Sequence, residues 1–482
     1  MIMKKFTFLM LTIISMNISA QFTDITGTVP GFSFAVSAFG DADGDGDLDL
    51  YLSGMDNGYT ISGGLFIYDA TSESYTLSTT ANIPAVYMGS ADWGDIDGDG
   101  DLDIVIMGQN ASYTDITEIY KNNNDGTFTA MNAGLEAAEQ GEVKFCNLNN
   151  DSHLDVSISA ISGAQNNPRI TKLYKNDGNG ALTELTSVSL PGMNYGRIKW
   201  ADYDNDGDQD FVLSGYDDNG GGSGTFYTKI FTNNGNETFT DSGISLHQGW
   251  LGDTEWGDYN GDGNIDLVLS GTGGSGTDRF TLLYKNNGNG TFTELNPGFE
   301  AVSHSGLEWA DFDNDGDLDL FLTGSTSAPG AGTGVTHIYI NEGGDNFTDL
   351  SGLSLSTSAY GDVDSGDIDG DGKIDLVIAG YDNAFDPSSK IYKNDGSLNI
   401  STNIADSFSI YPNPTTGTIY VSNNGNQTYS VKIIDILGKT VLNKQNISAT
   451  VKTIDLDNLK KGIYLIQIEQ NDQLHTQKLI LR

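Results

Sequence analysis

The chain has 482 residues, with 66 Asp or Glu against 23 Lys or Arg and a formal net charge of −43. Tyr, Phe and Trp supply 10 % of it, so a core can form, which a disordered acidic tail could not manage. The unpaired acid makes duplex DNA and anionic membrane poor partners and calls for divalent cations instead.

Residues 1–20 read as a secretory signal. Lys4 and Lys5 precede an apolar centre, Phe6 to Met16, and Ile18-Ser19-Ala20 forms a small-residue cleavage site. No cysteine follows it, which argues against a lipid anchor, and no later segment is apolar enough to span a bilayer. Cys146 is the only cysteine, so no intrachain disulfide is expected.

From Asp41 onward one pattern recurs seven times: DADGDGDLD from Asp41, DIDGDGDLD from Asp95, NLNNDSHLD from Asn147, DYDNDGDQD from Asp202, DYNGDGNID from Asp258, DFDNDGDLD from Asp311 and DIDGDGKID from Asp367. The starts lie 54, 52, 55, 56, 53 and 56 residues apart. Near-constant spacing of this kind marks a repeat architecture. Two residues before each loop stand Phe39, Trp93, Phe145, Trp200, Trp256, Trp309 and Ser365; one before stands a small residue, a slot that Cys146 fills as packing.

After each loop an apolar run, such as FVLSG from Phe211, reads as a buried strand. A variable Gly-rich stretch and a hairpin such as LYKNNGNGTFTEL from Leu283 follow, with Asn-Gly supplying the turn. Each repeat thus holds four strand candidates and no helix. The expected fold is all-β: a seven-bladed β-propeller over residues 21–400, with a stacked β-solenoid as the alternative. Phe22 to Ile25 and Leu398 to Thr402 compete as the fourth strand of the last blade, and we expect the former to close the ring.

The loops suit calcium, which takes six to eight oxygens in a forgiving geometry. Acids at loop positions 1, 3, 5 and 9, with the backbone carbonyl at 7, would supply most of them, and glycine at 6 permits the turn. Two carboxylates 4 Å apart repel by about 4 kcal/mol at an effective dielectric of 20, so four in one loop without a cation are costly. Five strong sites are expected: Asp41, Asp43, Asp45, Asp47 and Asp49; Asp95, Asp97, Asp99, Asp101 and Asp103; Asp202, Asp204, Asp206, Asp208 and Asp210; Asp311, Asp313, Asp315, Asp317 and Asp319; and Asp367, Asp369, Asp371, Lys373 and Asp375, where Lys373 lends only its carbonyl. A sixth, Asp258, Asn260, Asp262, Asn264 and Asp266, is weakened at Asn260. The loop from Asn147, with Asn149 and Ser152, is expected to be empty.

DxDxDGxxD followed by an apolar strand resembles the FG-GAP/VCBS repeat, the blade unit of integrin α-subunit propellers and many secreted bacterial proteins. The resemblance covers roughly residues 22–400. It implies calcium in the loops between first and second strands, on one face of the disc.

Residues 401–482 are nearly charge-neutral, and three strand-rich patches with turn breaks suggest a small Ig-like β-sandwich. YPNPTTG, DILGK, KGIYLI and a basic last strand resemble the type IX secretion sorting domain of Gram-negative bacteria. That resemblance implies export through the periplasm to the cell surface or medium by the type IX machinery.

The five histidines form no zinc motif, and no catalytic constellation stands out. Seven or eight residues before the acidic loops sit Phe34, Tyr87, Tyr195, Trp250, His304 and Tyr360, with Gln140 in the third repeat. Such aromatic platforms suit sugars or peptide side chains, or they plug the channel mouth. The reading is a binding or adhesion module for an extracellular glycan or protein. A carbohydrate-active enzyme (polysaccharide lyase or hydrolase) and a purely structural surface protein are the alternatives.

Overall fold

The structure is a computed structural model that describes residues 22–178, 181–218, 224–274, 278–327, 334–350 and 353–396, and, towards the C-terminus, 408–411, 415, 417–423, 428–435, 440–448, 451–456, 459–470 and 473–482. Residues 1–20, expected to be a signal, and Leu398 to Thr402 lie outside the described residues. Every regular element described is a strand. No helix among the described residues is long and apolar enough to cross a membrane. The chain divides into a repeat unit, Ser19–Ser397, and a C-terminal unit from Leu398.

The repeat unit contains seven antiparallel sheets built in sequence order. Their first strands are Ser33–Gly40, Val86–Gly94, Ala138–Cys146, Asn194–Ala201, the pair Gly249–Trp250 and Thr254–Gly257, Ser303–Ala310 and Ala359–Gly366. The second strands, such as Asp49–Met55 and Asp210–Asp217, are the apolar runs, buried on both faces along almost their whole length. First strands pack on one another in chain order, and Ala359–Gly366 packs on Ser33–Gly40, so the series returns to its start. Each of the seven interfaces between consecutive sheets has its own apolar core. One joins Val36, Tyr51 and Leu65 to Val86, Ile104 and Ile106, and another joins Leu50 and Leu52 to Val377 and Ile391.

The seventh sheet receives its fourth strand from the other end of the repeat unit. Phe22–Asp24 pairs antiparallel with Pro387–Asn394, placing Phe22 opposite Asn394. Phe22 packs edge-on against Phe312, and Lys390 Nζ donates to Asp24 Oδ2 at 2.7 Å.

Polar bonds tie the sheets together as regularly as the apolar cores do. The third strands of repeats two to seven end in an asparagine: Asn122, Asn176, Asn233, Asn286, Asn341 and Asn394. Each side-chain amide donates to the carbonyl at loop position 2 of the preceding repeat, as in Asn286 Nδ2 to Tyr203 O at 2.7 Å. Tyr68 takes this place in the first repeat, and there Leu48 N–H donates to Ile368 O at 2.8 Å across the seventh interface.

In the C-terminal unit, Phe408–Tyr411, Thr418–Asn423 and Val451–Asp455 form one antiparallel sheet. Thr440–Ile447, Tyr429–Asp435, Gly462–Gln470 and Gln473–Leu481 form a second. Ile419, Val421, Val431, Ile433, Ile466 and Leu479 share one core between the two.

Two outcomes test these ties. Removal of residues 21–26 should lower the melting temperature of the full chain markedly. Asn286→Leu, which strips two buried carbonyls of their donor, should cost about 1–3 kcal/mol in chemical denaturation.

Candidate functional site

The acidic loops all join a first strand to a second, so they gather at one end of the first strands. In six of the seven the position-1 carboxylate organises the turn. Asp41 Oδ1 accepts from Gly44 and Asp45 N–H, and Oδ2 accepts from Gly46 N–H. Position 4 has a left-handed backbone in every loop, and it is Gly44, Gly98, Asn150, Asn205, Gly261, Asn314 or Gly370, the two residue types that tolerate it.

These turns bring positions 1, 3 and 5 together. In the loops from Asp41, Asp95, Asp202, Asp311 and Asp367, one oxygen of each of the three acids lies within 4.8 Å of the others, a spacing that suits a shared cation. Burial first, then the neighbouring carboxylates, push Asp43 and Asp204 above the usual carboxylate range and Asp313 up to about 6.

Position 9, expected as a fourth ligand, is buried and bonded to the backbone. Asp49, Asp103, Asp155, Asp210, Asp266, Asp319 and Asp375 are buried. In six of them one oxygen accepts the position-2 N–H and the other an N–H near the end of the third strand, as Asp319 does from Phe312 and Asn341. Asp266 accepts from Asn286 N–H and from the Asn260 amide nitrogen. Burial pushes these seven acids up to about 6 or 7 against the pull of their backbone donors.

The five clusters are not alike. Lys121 bonds to Asp97 and Asp99, and Lys393 to Asp369, so an ammonium already offsets part of the charge in the loops from Asp95 and Asp367. Lys373, at position 7 of the latter, also reaches Asp371 at 2.8 Å. The clusters at Asp41, Asp202 and Asp311 form no ion pair among the described residues. In the loop from Asn147, the Asn147 and Asn149 amides donate to Asp151, so donors stand where ligands are needed.

The other end of the first strands carries a second regularity. Seven residues before each loop stand Phe34, Met88, Gln140, Tyr195, Leu251, His304 and Tyr360, all with φ between 45° and 55°. A left-handed backbone costs a side-chain-bearing residue about 1–2 kcal/mol. The pairing register slips there in six sheets, and in the fifth the first strand is broken between Trp250 and Thr254. These bulges aim all seven side chains into one pocket above Arg197. Of the six aromatic and histidine residues singled out in the sequence, Phe34, Tyr195, His304 and Tyr360 line it. Tyr87 and Trp250 stand one residue out of register, and Met88 and Leu251 occupy their places. Tyr87 packs on Phe34 and Tyr113, and Trp250 on Tyr195, Tyr216 and Phe226. The bulge moves the register by one, a shift that residue spacing alone does not reveal. Burial holds His304 neutral, with its pKa down to about 4.

Below the pocket, the first strands and the break in the fifth carry Asp92, Glu142, Lys144, Arg197, Lys199, Asp253, Glu308, Asp362 and Asp364 around a common space. Many of these acids serve the backbone. Asp92 accepts from Phe145 N–H, Glu142 from Ile198, Asp253 from Leu307, Asp362 from Ser37 and Asp364 from Phe39, each acceptor reaching the next first strand in the series. Lys144 pairs with Asp92, and Lys199 bridges Glu142 and Glu255.

Comparison with known proteins agrees with the repeat reading. The FG-GAP-like repeat matches at residues 41–106, 95–156, 147–213, 202–269 and 258–322, and the secretion system C-terminal sorting domain matches at 409–482. Cartilage acidic protein 1 of Mus musculus is 28% identical over 180 residues, and the Homo sapiens protein 27% over 177; each match covers 35% of this chain. The matched stretch spans about a quarter of the length of these relatives, 27% and 26%. The extracellular domain of a hybrid two-component system from B. thetaiotaomicron aligns over 96% of this chain and 58% of its own, at 11% identity and a TM-score of 0.40. A fructofuranosidase from Schwanniomyces occidentalis aligns over 97% and 93%, at 8% identity and a TM-score of 0.28. Superpositions of this quality carry no weight for activity.

The position-9 acids set a pH dependence. Their folded pKa values of about 6 or 7 lie above the unfolded value near 3.9, so the folded state holds more protons between these limits. Their contribution to stability is therefore present at low pH and lost as pH rises through about 7. Metal-free protein should melt higher at pH 5.5 than at pH 8 in differential scanning calorimetry, and millimolar calcium should shrink that difference by raising the pH 8 value.

Proposed function

Because the chain belongs to the FG-GAP-like repeat family and ends in a secretion-system sorting domain, we propose that it is an exported seven-bladed β-propeller that holds calcium at one end of the disc and captures a glycan or protein ligand at the other. Residues 1–20 serve as the signal peptide, 21–400 as the propeller and 401–482 as the address read by the type IX machinery. The destination is the surface or surroundings of a Gram-negative cell.

The seven sheet interfaces, returning to their start, support the propeller. The carboxylate clusters support calcium in an order: the loops from Asp41, Asp202 and Asp311 bind first, and those from Asp95 and Asp367 must displace a lysine. The loop from Asp258 binds weakly and that from Asn147 not at all. Affinities of about 10⁻⁴–10⁻³ M would suit permanently filled extracellular sites.

The observation that carries the binding reading is the pocket of seven left-handed residues at the end remote from the loops. Seven strained positions converging on one mouth are a cost that packing alone does not require. The channel acids favour binding over chemistry, since five of them cap backbone N–H groups.

A glycan and protein array with and without calcium, followed by product analysis on any bound polysaccharide, tests this. Binding without turnover is expected, and Tyr195→Ala with His304→Ala should weaken it about tenfold or more. New reducing or unsaturated ends would replace this reading with an enzyme.

A further inference from the structure

Three hairpins on the pocket side share one unusual design. They join the second to the third strand in the first, second and seventh sheets, which are neighbours in the series because Ala359–Gly366 packs on Ser33–Gly40. Their sequences are DNGYT from Asp56, NASYT from Asn110 and DNAFD from Asp382. In each, the first side chain accepts from the third and fifth N–H groups, as Asp56 Oδ1 does from Gly58 and Thr60. In each, the aromatic residue closes the turn by donating its N–H to the first carbonyl.

That aromatic residue is Tyr59, Tyr113 or Phe385, with φ of 60°, 56° and 63°. The rings stand out into solvent, 77%, 57% and 42% exposed. Each turn thus places a large ring where glycine would be unstrained, and leaves much of that ring open to solvent. The other four repeats have no aromatic residue in this connection.

Two of these rings end one row of aromatic contacts, and the third hairpin is bonded to its end. Phe385 meets Tyr381 with centroids 6.1 Å apart, Tyr381 meets Phe34 at 5.6 Å, Phe34 meets Tyr87 at 6.4 Å and Tyr87 meets Tyr113 at 6.3 Å. Tyr113 Oη donates to the Tyr59 backbone carbonyl at 3.2 Å, which ties the hairpin that carries Tyr59 to this row.

We propose that this aromatic track across the seventh, first and second sheets is a binding cleft for a neutral polysaccharide chain, a reading that rests on the ligand-binding role given above. Sugar rings present flat apolar faces that stack on exposed aromatics, and a row of rings suits successive units of one chain. Charge sets the class, because the three hairpins contain three Asp and no Lys or Arg, on a chain of net charge −43, which repels polyanions. Size sets it too. The exposed parts of the three rings amount to roughly 300–400 Å². A stable protein interface takes about 800 Å² from each partner.

The test is affinity electrophoresis of the full chain through gels containing a soluble β-glucan, a galactomannan or a xylan, with alginate as the anionic control. The wild type should be retarded by at least one neutral polymer and not by alginate. Tyr59→Gly, Tyr113→Gly and Phe385→Gly together should weaken retardation at least about tenfold with no fall in melting temperature, since glycine suits these backbones. Tyr59→Trp with Tyr113→Trp should retain it, which a merely structural role for the rings would not predict. Equal retardation of the triple glycine variant would overturn the track and leave a ligand site elsewhere on the face. Binding of the wild type only to alginate or to proteins would overturn it while sparing the wider reading. No binding to any glycan or protein would overturn both.

Discussion

Everything regular in the repeat unit depends on one buried carboxylate per repeat. The position-9 aspartate sits where a loop becomes a second strand, and it joins that point to the start of its own loop and to its own third strand. Three elements are thereby fixed by one side chain. A buried acid is tolerable because its oxygens are hydrogen-bonded, and removing either donor would leave a buried oxygen unsatisfied. The asparagine at the end of the third strand then reaches back to the preceding loop. Aspartate orders each sheet, and asparagine passes that order to the next.

The same economy explains a further part of the acid that the composition shows. First strands lie at sheet edges and expose unpaired N–H groups. Carboxylates on one first strand accept those of the next. Negative charge here is a substitute for a missing neighbour strand. It accumulates wherever edges converge, and three basic side chains, Lys144, Arg197 and Lys199, offset part of it.

Repeat length, strand count and the loop positions were legible in the sequence, because each rests on local chemistry: turn residues, alternation of strands and breaks, and carboxylate spacing. The strand from Phe22 was legible through its likeness to Phe347–Asp349 in the sixth sheet. The division of labour among the aspartates was not. Positions 5 and 9 look alike as letters, yet Asp315 is solvent-exposed and Asp319 is buried. Nor was the bulge that replaces Tyr87 and Trp250 by Met88 and Leu251, since a slip of one residue leaves the pattern of residue types almost unchanged. Lys121 and Lys393 escaped notice because their acidic partners lie 24 residues away in the chain. The three exposed rings had a signal, Asp or Asn followed three residues later by Tyr or Phe, but it lies in the stretch that varies most between repeats.

The pairing of Phe22 with Asn394 has a consequence for the order of events in time. A chain emerging from its N-terminus can complete its first six sheets locally, each within about fifty residues. The first strand to appear must nonetheless wait for nearly the last. Its contacts have the greatest sequence separation in the repeat unit, and closing so long a loop comes late. Until then, the apolar surfaces of the first and seventh sheets, Leu50 and Leu52 on one side and Val377 and Ile391 on the other, remain uncovered. A chain cut short before its seventh sheet leaves the first sheet's surface without a partner, so incomplete molecules differ from complete ones in stickiness as well as in length.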